Sequence, residues 1–226
     1  MVEAPKVKIC GLTRRADAAY AAGEGATYLG MILSGGFGRS VHHAAAPSLV
    51  AGLAATPVAV LVDETPEEAA RLATAVGAGV IQLHGNEAPE AVERLAEMGP
   101  WRLWKAVHAA SAEDVRHAVA RYAGLVDGFL VEGYVPGAVG GAGARLSPLV
   151  GTLRSHVSPS LTLVVAGGLT PDNVADAVAR HRPDVVDVSS GVESALGVKD
   201  PLLVSRFIQE ALRPPPHSPP HSGDRS

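Results

Sequence analysis

The chain has 226 residues, 47% of them hydrophobic, and a formal net charge of −4. That length and apolar content suit a single domain with a large core, and the dispersed basic residues exclude a nucleic-acid footprint or a basic membrane patch. A lone cysteine, Cys10, excludes an internal disulfide and a cysteine-rich metal site.

No apolar run of signal-peptide type follows Met1, and no stretch of about 18 uncharged apolar residues occurs, so the sequence predicts a cytoplasmic chain without a membrane span. Along the chain, short apolar runs rich in valine, isoleucine and leucine alternate with longer runs of helical period. The predicted strands are 7–9, 28–32, 58–62, 80–83, 101–107, 128–131, 161–165 and 185–188. Helices are predicted near 14–22, 47–54, 66–76, 89–98, 112–121, 148–154, 173–180 and 201–212. Thr65-Pro66-Glu67-Glu68 has the chemistry of a helix start: a capping hydroxyl, a proline in the first turn and acids near the positive dipole end. Thr170-Pro171-Asp172-Asn173 and Asp200-Pro201 repeat it.

Eight strands, each followed by a helix, is the count that closes an α/β single (β/α)₈ barrel over residues 1–212. The same alternation also permits an open doubly wound sheet. Residues 213–226, with Pro214-Pro215-Pro216 and almost no apolar side chains, are expected to form a disordered extension.

In a barrel the strand C-termini carry the site, so the polar residues after each strand matter most. Strand one ends in Cys10-Gly11. Strand two leads through glycines to Arg39, strand four ends at His84, and strand six ends at Glu132 before a glycine-rich segment that includes Gly141 and Gly143. Strand seven ends in Gly167-Gly168; strand eight carries Asp187 and runs into Ser189-Ser190-Gly191. Glycines and small hydroxyl residues on these consecutive last loops mark the recurrent phosphate position of this fold, where bare amides and a helix dipole stabilise a dianion. On residue type alone, Cys10 is equally a small buried residue, Arg39 a solvated one, and His84 a hydrogen-bonded structural histidine.

Lys8-Ile9-Cys10-Gly11-Leu12-Thr13, Gln82-Leu83-His84-Gly85-Asn86-Glu87, Ala166 to Asn173 and Asp187-Val188-Ser189-Ser190-Gly191-Val192-Glu193 together resemble the phosphoribosylanthranilate isomerases of tryptophan biosynthesis. The resemblance covers about residues 6–212. It implies an Amadori rearrangement without a cofactor or metal, in which an acid protonates the furanose ring oxygen and a base removes the C2′ proton. The family's base falls on Cys10, whose thiolate the site must favour, with the segment after Gly11 expected to open a helix whose dipole helps. The family's acid is an aspartate; here Glu132 stands in its place, its carboxyl displaced by one methylene. Arg39 is kept without the usual serine and proline and is implied to meet the anthranilate carboxylate through its planar fork.

Asp187, costly to bury unpaired in a barrel strand, is expected to face the site and hold substrate polar groups or the surroundings of Cys10, and His84 to line the pocket. Gly141, Gly143, Gly167, Gly168, Ser189, Ser190 and Gly191 are assigned to the phosphate. The partner implied is a small phosphoribosyl substrate, with no nucleic acid and no membrane, on a monomer or homodimer. Among rivals, a metal-dependent pentulose-phosphate epimerase needs ligands after strand two that Met31-Ile32-Leu33-Ser34 does not supply. The histidine-pathway isomerase uses an aspartate after strands one and five, where this chain has Cys10 and Trp104-Lys105-Ala106-Val107. A non-catalytic phosphoribosyl-binding barrel would keep the phosphate loops and lose the acid.

Overall fold

The computed structural model describes residues 4–133 and 152–213. Eight parallel strands close into a barrel in the order β1 to β8: β1 Lys6–Ile9, β2 Tyr28–Ile32, β3 Thr56–Leu61, β4 Val80–Leu83, β5 Arg102–Ala109, β6 Gly128–Gly133, β7 Thr162–Val165 and β8 Val185–Val188. Closure is direct, with Lys6 to Ile9 of β1 in register with Val185 to Val188 of β8. The open-sheet alternative is therefore excluded.

Seven α-helices flank the barrel among the described residues: α1 Arg15–Gly23, α2 Ala46–Val50, α3 Pro66–Val76, α4 Pro89–Ala96, α5 Ala112–Tyr122, α6 Val174–His181 and α7 Pro201–Ala211. The predicted helix at 148–154 differs: its described part holds a 3₁₀ turn, Leu153–Ser155, and the rest lies outside the described residues. Gly141, Gly143 and the tail from Pro214 also lie outside them.

Local chemistry sets the helix ends. Thr65 accepts a hydrogen bond from the Glu68 amide at the start of α3, and Gly77 closes that helix in the left-handed region at φ 63°. Ser111 and Asp114 form a reciprocal capping box on α5, and Asp200 accepts from the Leu202 and Leu203 amides on α7. The Thr170–Asn173 segment departs from this pattern. It forms a turn ahead of α6, and Asn173 is spent on the preceding loop instead of capping the helix.

Two apolar layers follow from the two-residue period of the strands. One, with Tyr28, Val58, Val60, Val80, Trp104, Ala106, Leu130, Val164 and Val185, fills the barrel interior. The other, with Ile9, Leu29, Met31, Leu61, Ile81, Leu103, Phe129, Leu163 and Val186, packs beneath the helices. Lys8, Cys10, Gln82, His84, His108, Glu132 and Asp187 all share the parity of the interior layer. These interior polar side chains are thus gathered towards the mouth formed by the strand C-termini.

Candidate active site

Two polar clusters occupy that mouth. The first is built on β1, β2 and β8. Lys8 is fully buried, and its Nζ lies 2.9 Å from Asp187 Oδ1. On β2, a Cβ placed on Gly30 would sit 2.8 Å from Cys10 Sγ and 3.1 Å from Lys8 Nζ. Thiol and ammonium therefore flank the same point, and only glycine leaves room for them. The sequence assigns Lys8 no role beyond its place in β1; its shared parity with Cys10 is the signal that points to it as a neighbour of the thiol.

The electrostatics correct one expectation. Burial pushes the Cys10 thiol up; the Lys8 charge pulls it down and Asp187 pushes it up again, so the thiol ends above its ordinary value. Nor does a helix start at Gly11. α1 begins at Arg15, too far along the chain for its first turn to act on Sγ. What favours the thiolate here is the buried Lys8 ammonium, with Lys199 assisting. Lys8 is itself raised: burial lowers it, but the facing Asp187 and Cys10 charges win.

Arg39 does meet a carboxylate through its planar fork, but the carboxylate belongs to the protein. Nε and Nη2 donate to Glu193 Oε1 and Oε2 at 2.8 and 2.7 Å. Lys199 Nζ donates to the same Glu193 at 2.8 Å and to the Ser189 carbonyl at 3.1 Å. The Arg39 side chain stands beside the Cys10-Gly11 segment: a Cβ on Gly11 would meet Arg39 Cδ at 2.7 Å and Ser189 Oγ at 2.8 Å.

The two predicted phosphate loops touch. Gly167 and Gly168 adopt φ of 84° and 61°, and Ser190–Val192 form a 3₁₀ turn directly after Ser189. A Cβ on Gly191 would fall 1.9 Å from the Leu169 carbonyl oxygen, a contact no other residue tolerates without moving a loop. Asn173 clamps the first loop, accepting from the Thr170 amide at 2.8 Å and donating to the Gly168 carbonyl at 2.9 Å.

The second cluster stands on β4, β5 and β6. His84 Nε2 lies 3.2 Å and His108 Nδ1 2.9 Å from one oxygen, Oε1 of Glu132. His108 and Glu132 are register partners in the parallel β5–β6 ladder. Gln82 Nε2 lies 2.8 Å from His84 Nδ1 and fixes that ring. Burial pushes the Glu132 carboxyl up, but hydrogen bonds from His108 and His84 and their charges outweigh it and bring it down to about 2. The three ligand-type atoms lie within 4.8 Å of one another, the one such group among the described residues. Both short distances converge on the same carboxylate oxygen at hydrogen-bond length, an arrangement for sharing protons. His108 lies just beyond the predicted end of β5 at residue 107, although Trp104, Ala106 and His108 alternate in phase. Asp127, at the other end of the β6 segment, accepts from the Leu103 amide and stands apart from the cluster.

No helix among the described residues is long and apolar enough to cross a membrane. The family model for N-(5′-phosphoribosyl)anthranilate isomerase matches residues 7–210. The isomerase of that name from Chromohalobacter salexigens is 38% identical over 207 residues, covering 91% of this chain and 93% of its own. Monomers generated from the dimeric enzyme of Thermotoga maritima superpose with a TM-score of 0.80 at 32% identity, covering 92% and 98%. A phosphoribosylanthranilate isomerase bound to reduced 1-(o-carboxyphenylamino)-1-deoxyribulose 5-phosphate superposes with a TM-score of 0.77 at 31% identity, over the same shares.

Proposed function

The chain belongs to the N-(5′-phosphoribosyl)anthranilate isomerase family, and on that premise we propose that Cys10 and Glu132 are its base and its acid. The reaction is the Amadori rearrangement of N-(5′-phosphoribosyl)anthranilate to 1-(2-carboxyphenylamino)-1-deoxyribulose 5-phosphate. The acid centre protonates the ring oxygen as the C1′–O4′ bond breaks, and the nitrogen lone pair forms the C1′=N bond. The Cys10 thiolate then takes the C2′ proton; the freed electron pair forms C1′=C2′ and returns the imine pair to nitrogen. Loss of the 2′-hydroxyl proton and gain of a proton at C1′ complete the ketone, so proton uptake and release balance.

The observation that carries this reading is Cys10 Sγ held beside the buried Lys8 ammonium on the interior face, at the same end of the barrel as Glu132. A raised thiol is compatible with catalysis because its thiolate, once formed opposite Lys8, is a stronger base than one of low pKa. Gly167, Gly168, Ser189, Ser190 and Gly191 are assigned to the substrate phosphate, supported by the contact between their loops. Arg39 is assigned to the anthranilate carboxylate through Nη1, the guanidinium nitrogen that Glu193 does not engage. Asp187 acts on the substrate side of the mouth through Lys8, and His84 acts through Glu132.

Turnover by the purified chain, followed as loss of anthranilate fluorescence, tests the pair. Glu132→Gln keeps the side-chain shape and removes its acid chemistry, and is expected to lower kcat by at least about a hundredfold. Full turnover in that variant would remove Glu132 from the acid position.

A further inference from the structure

An acid that the protein holds ionised cannot by itself be the store of the proton it delivers. Glu132 Oε1 lies 3.2 Å from His84 Nε2 and 2.9 Å from His108 Nδ1, and an ionised carboxylate only accepts. Each facing nitrogen, His84 Nε2 or His108 Nδ1, can therefore meet that oxygen as a donor only when it carries hydrogen. The two rings differ in everything else. His84 is buried, and its second nitrogen is engaged by Gln82 from two residues earlier in the chain. His108 sits at the outer end of β5 with a side chain 28% exposed, edge-on to His84 with centroids 5.2 Å apart.

We propose that His108 is the proton reservoir of the acid centre, delivering its Nδ1 proton to the substrate ring oxygen by way of Glu132, with His84 fixing the carboxylate. The inference rests on the assignment of Glu132 as the acid. In the step His108 starts as imidazolium; its Nδ1 proton passes to Glu132 Oε1, and the carboxylic acid so formed gives a proton to O4′ as the C1′–O4′ bond breaks. Glu132 stays ionised overall and His108 is left neutral. The pair regains a proton when the 2′-hydroxyl releases its own, or from water at the exposed imidazole edge. Imidazole is the side chain suited to both directions of that exchange near neutrality. The titratable groups facing His108 among the described residues are Glu132 of β6 and His84 of β4. His108 is thus a positioning and proton-supplying residue acting through Glu132.

Asparagine separates supply from scaffolding, because its amide N–H can occupy the place of Nδ1 and still donate to Glu132 while exchanging no proton. His108→Asn, shown folded by circular dichroism, is expected to lose about a hundredfold in kcat with little change in KM. His108→Ala is expected to regain turnover when imidazole is added, with the rescue following the imidazolium concentration as pH is varied. A kcat of His108→Asn within about threefold of the parent chain, with Glu132→Gln inactive, would overturn the reservoir and leave Glu132 as an acid acting alone. No rescue of a folded His108→Ala by imidazole would overturn it as well. Full activity of Glu132→Gln would remove the acid assignment beneath it.

Discussion

Asp187→Asn tests the electrostatics around the base. The substitution keeps the side-chain volume and removes the charge that faces Lys8 Nζ at 2.9 Å in a pair whose side chains are 0% and 9% exposed. Removing one partner of a buried pair costs about 3–5 kcal/mol, because the remaining charge is left without compensation. The asparagine oxygen can still accept from Nζ, which places the expected loss near the lower end, about 3 kcal/mol. For a chain of this size, with an m-value near the top of the usual range at about 3 kcal/mol/M, the urea midpoint falls by about 1 M.

The same substitution removes a charge that pushes the Cys10 thiol up and leaves Lys8 to pull it down. The thiol is then expected to titrate at lower pH, with the thiolate taking over as counter-charge to Lys8. Because Cys10 is the only cysteine, ultraviolet thiolate absorbance reads it alone. Pairing Asp187→Asn with Lys8→Met is expected to restore most of the stability, since no unpaired charge remains. A stability loss under about 1 kcal/mol, or a thiol titration that stays in place or moves upward, would refute the coupling of Asp187, Lys8 and Cys10.

Other outcomes rest on the same geometry. Glu132 titrates at about 2 instead of 4.5, so its contribution to stability is present above pH 4.5 and is lost as pH falls towards 2. At about 1.4 kcal/mol per pH unit this is on the order of 3 kcal/mol, and the acid-unfolding curve of Glu132→Gln is expected to lack it. Gly30→Ala forces a methyl to 2.8 Å from Cys10 Sγ; displacement of the base by a fraction of an ångström or more is expected to lower kcat by about ten- to a hundredfold, read in the fluorescence assay. Gly191→Ala drives the loops after β7 and β8 apart at the Leu169 carbonyl, and is expected to raise KM for the phosphorylated substrate more than it lowers kcat.

Much of the site is legible in the sequence because strand period and fold rule act together. Cys10 and Glu132 stand just beyond the ends of predicted strands, Asp187 lies within the last one and Arg39 on the glycine-rich loop after the second, and each lies at the barrel mouth. The residues that escape such a reading are partners, not endpoints. Lys8 lies inside β1, where a lysine in an apolar strand reads as an interruption until Gly30 is known to leave space beside it. His108 escapes because the predicted strand ends two residues early, whereas β5 runs on to Ala109. Glu193 and Lys199 belong to the small hairpin of β9, Glu193–Ala195, and β10, Val198–Lys199, and their pairing with Arg39 depends on how that hairpin folds back over the mouth. The Arg39–Glu193 pair joins residues 154 positions apart, and nothing local in the sequence encodes it. The thiol's environment is hidden for a related reason. Neighbouring residues suggest a helix dipole, while the cation that acts on Cys10 stands two residues before it on the same strand face.

Removal of the substrate's C2′ proton by Cys10 is the step on which the proposed mechanism turns. The most direct measurement is turnover of N-(5′-phosphoribosyl)anthranilate by the parent chain and by Cys10→Ala, with binding of the reduced product analogue measured alongside. The variant is expected still to bind the analogue while kcat falls by at least about a hundredfold. A folded Cys10→Ala that binds the analogue and turns over substrate at the parent rate would contradict it.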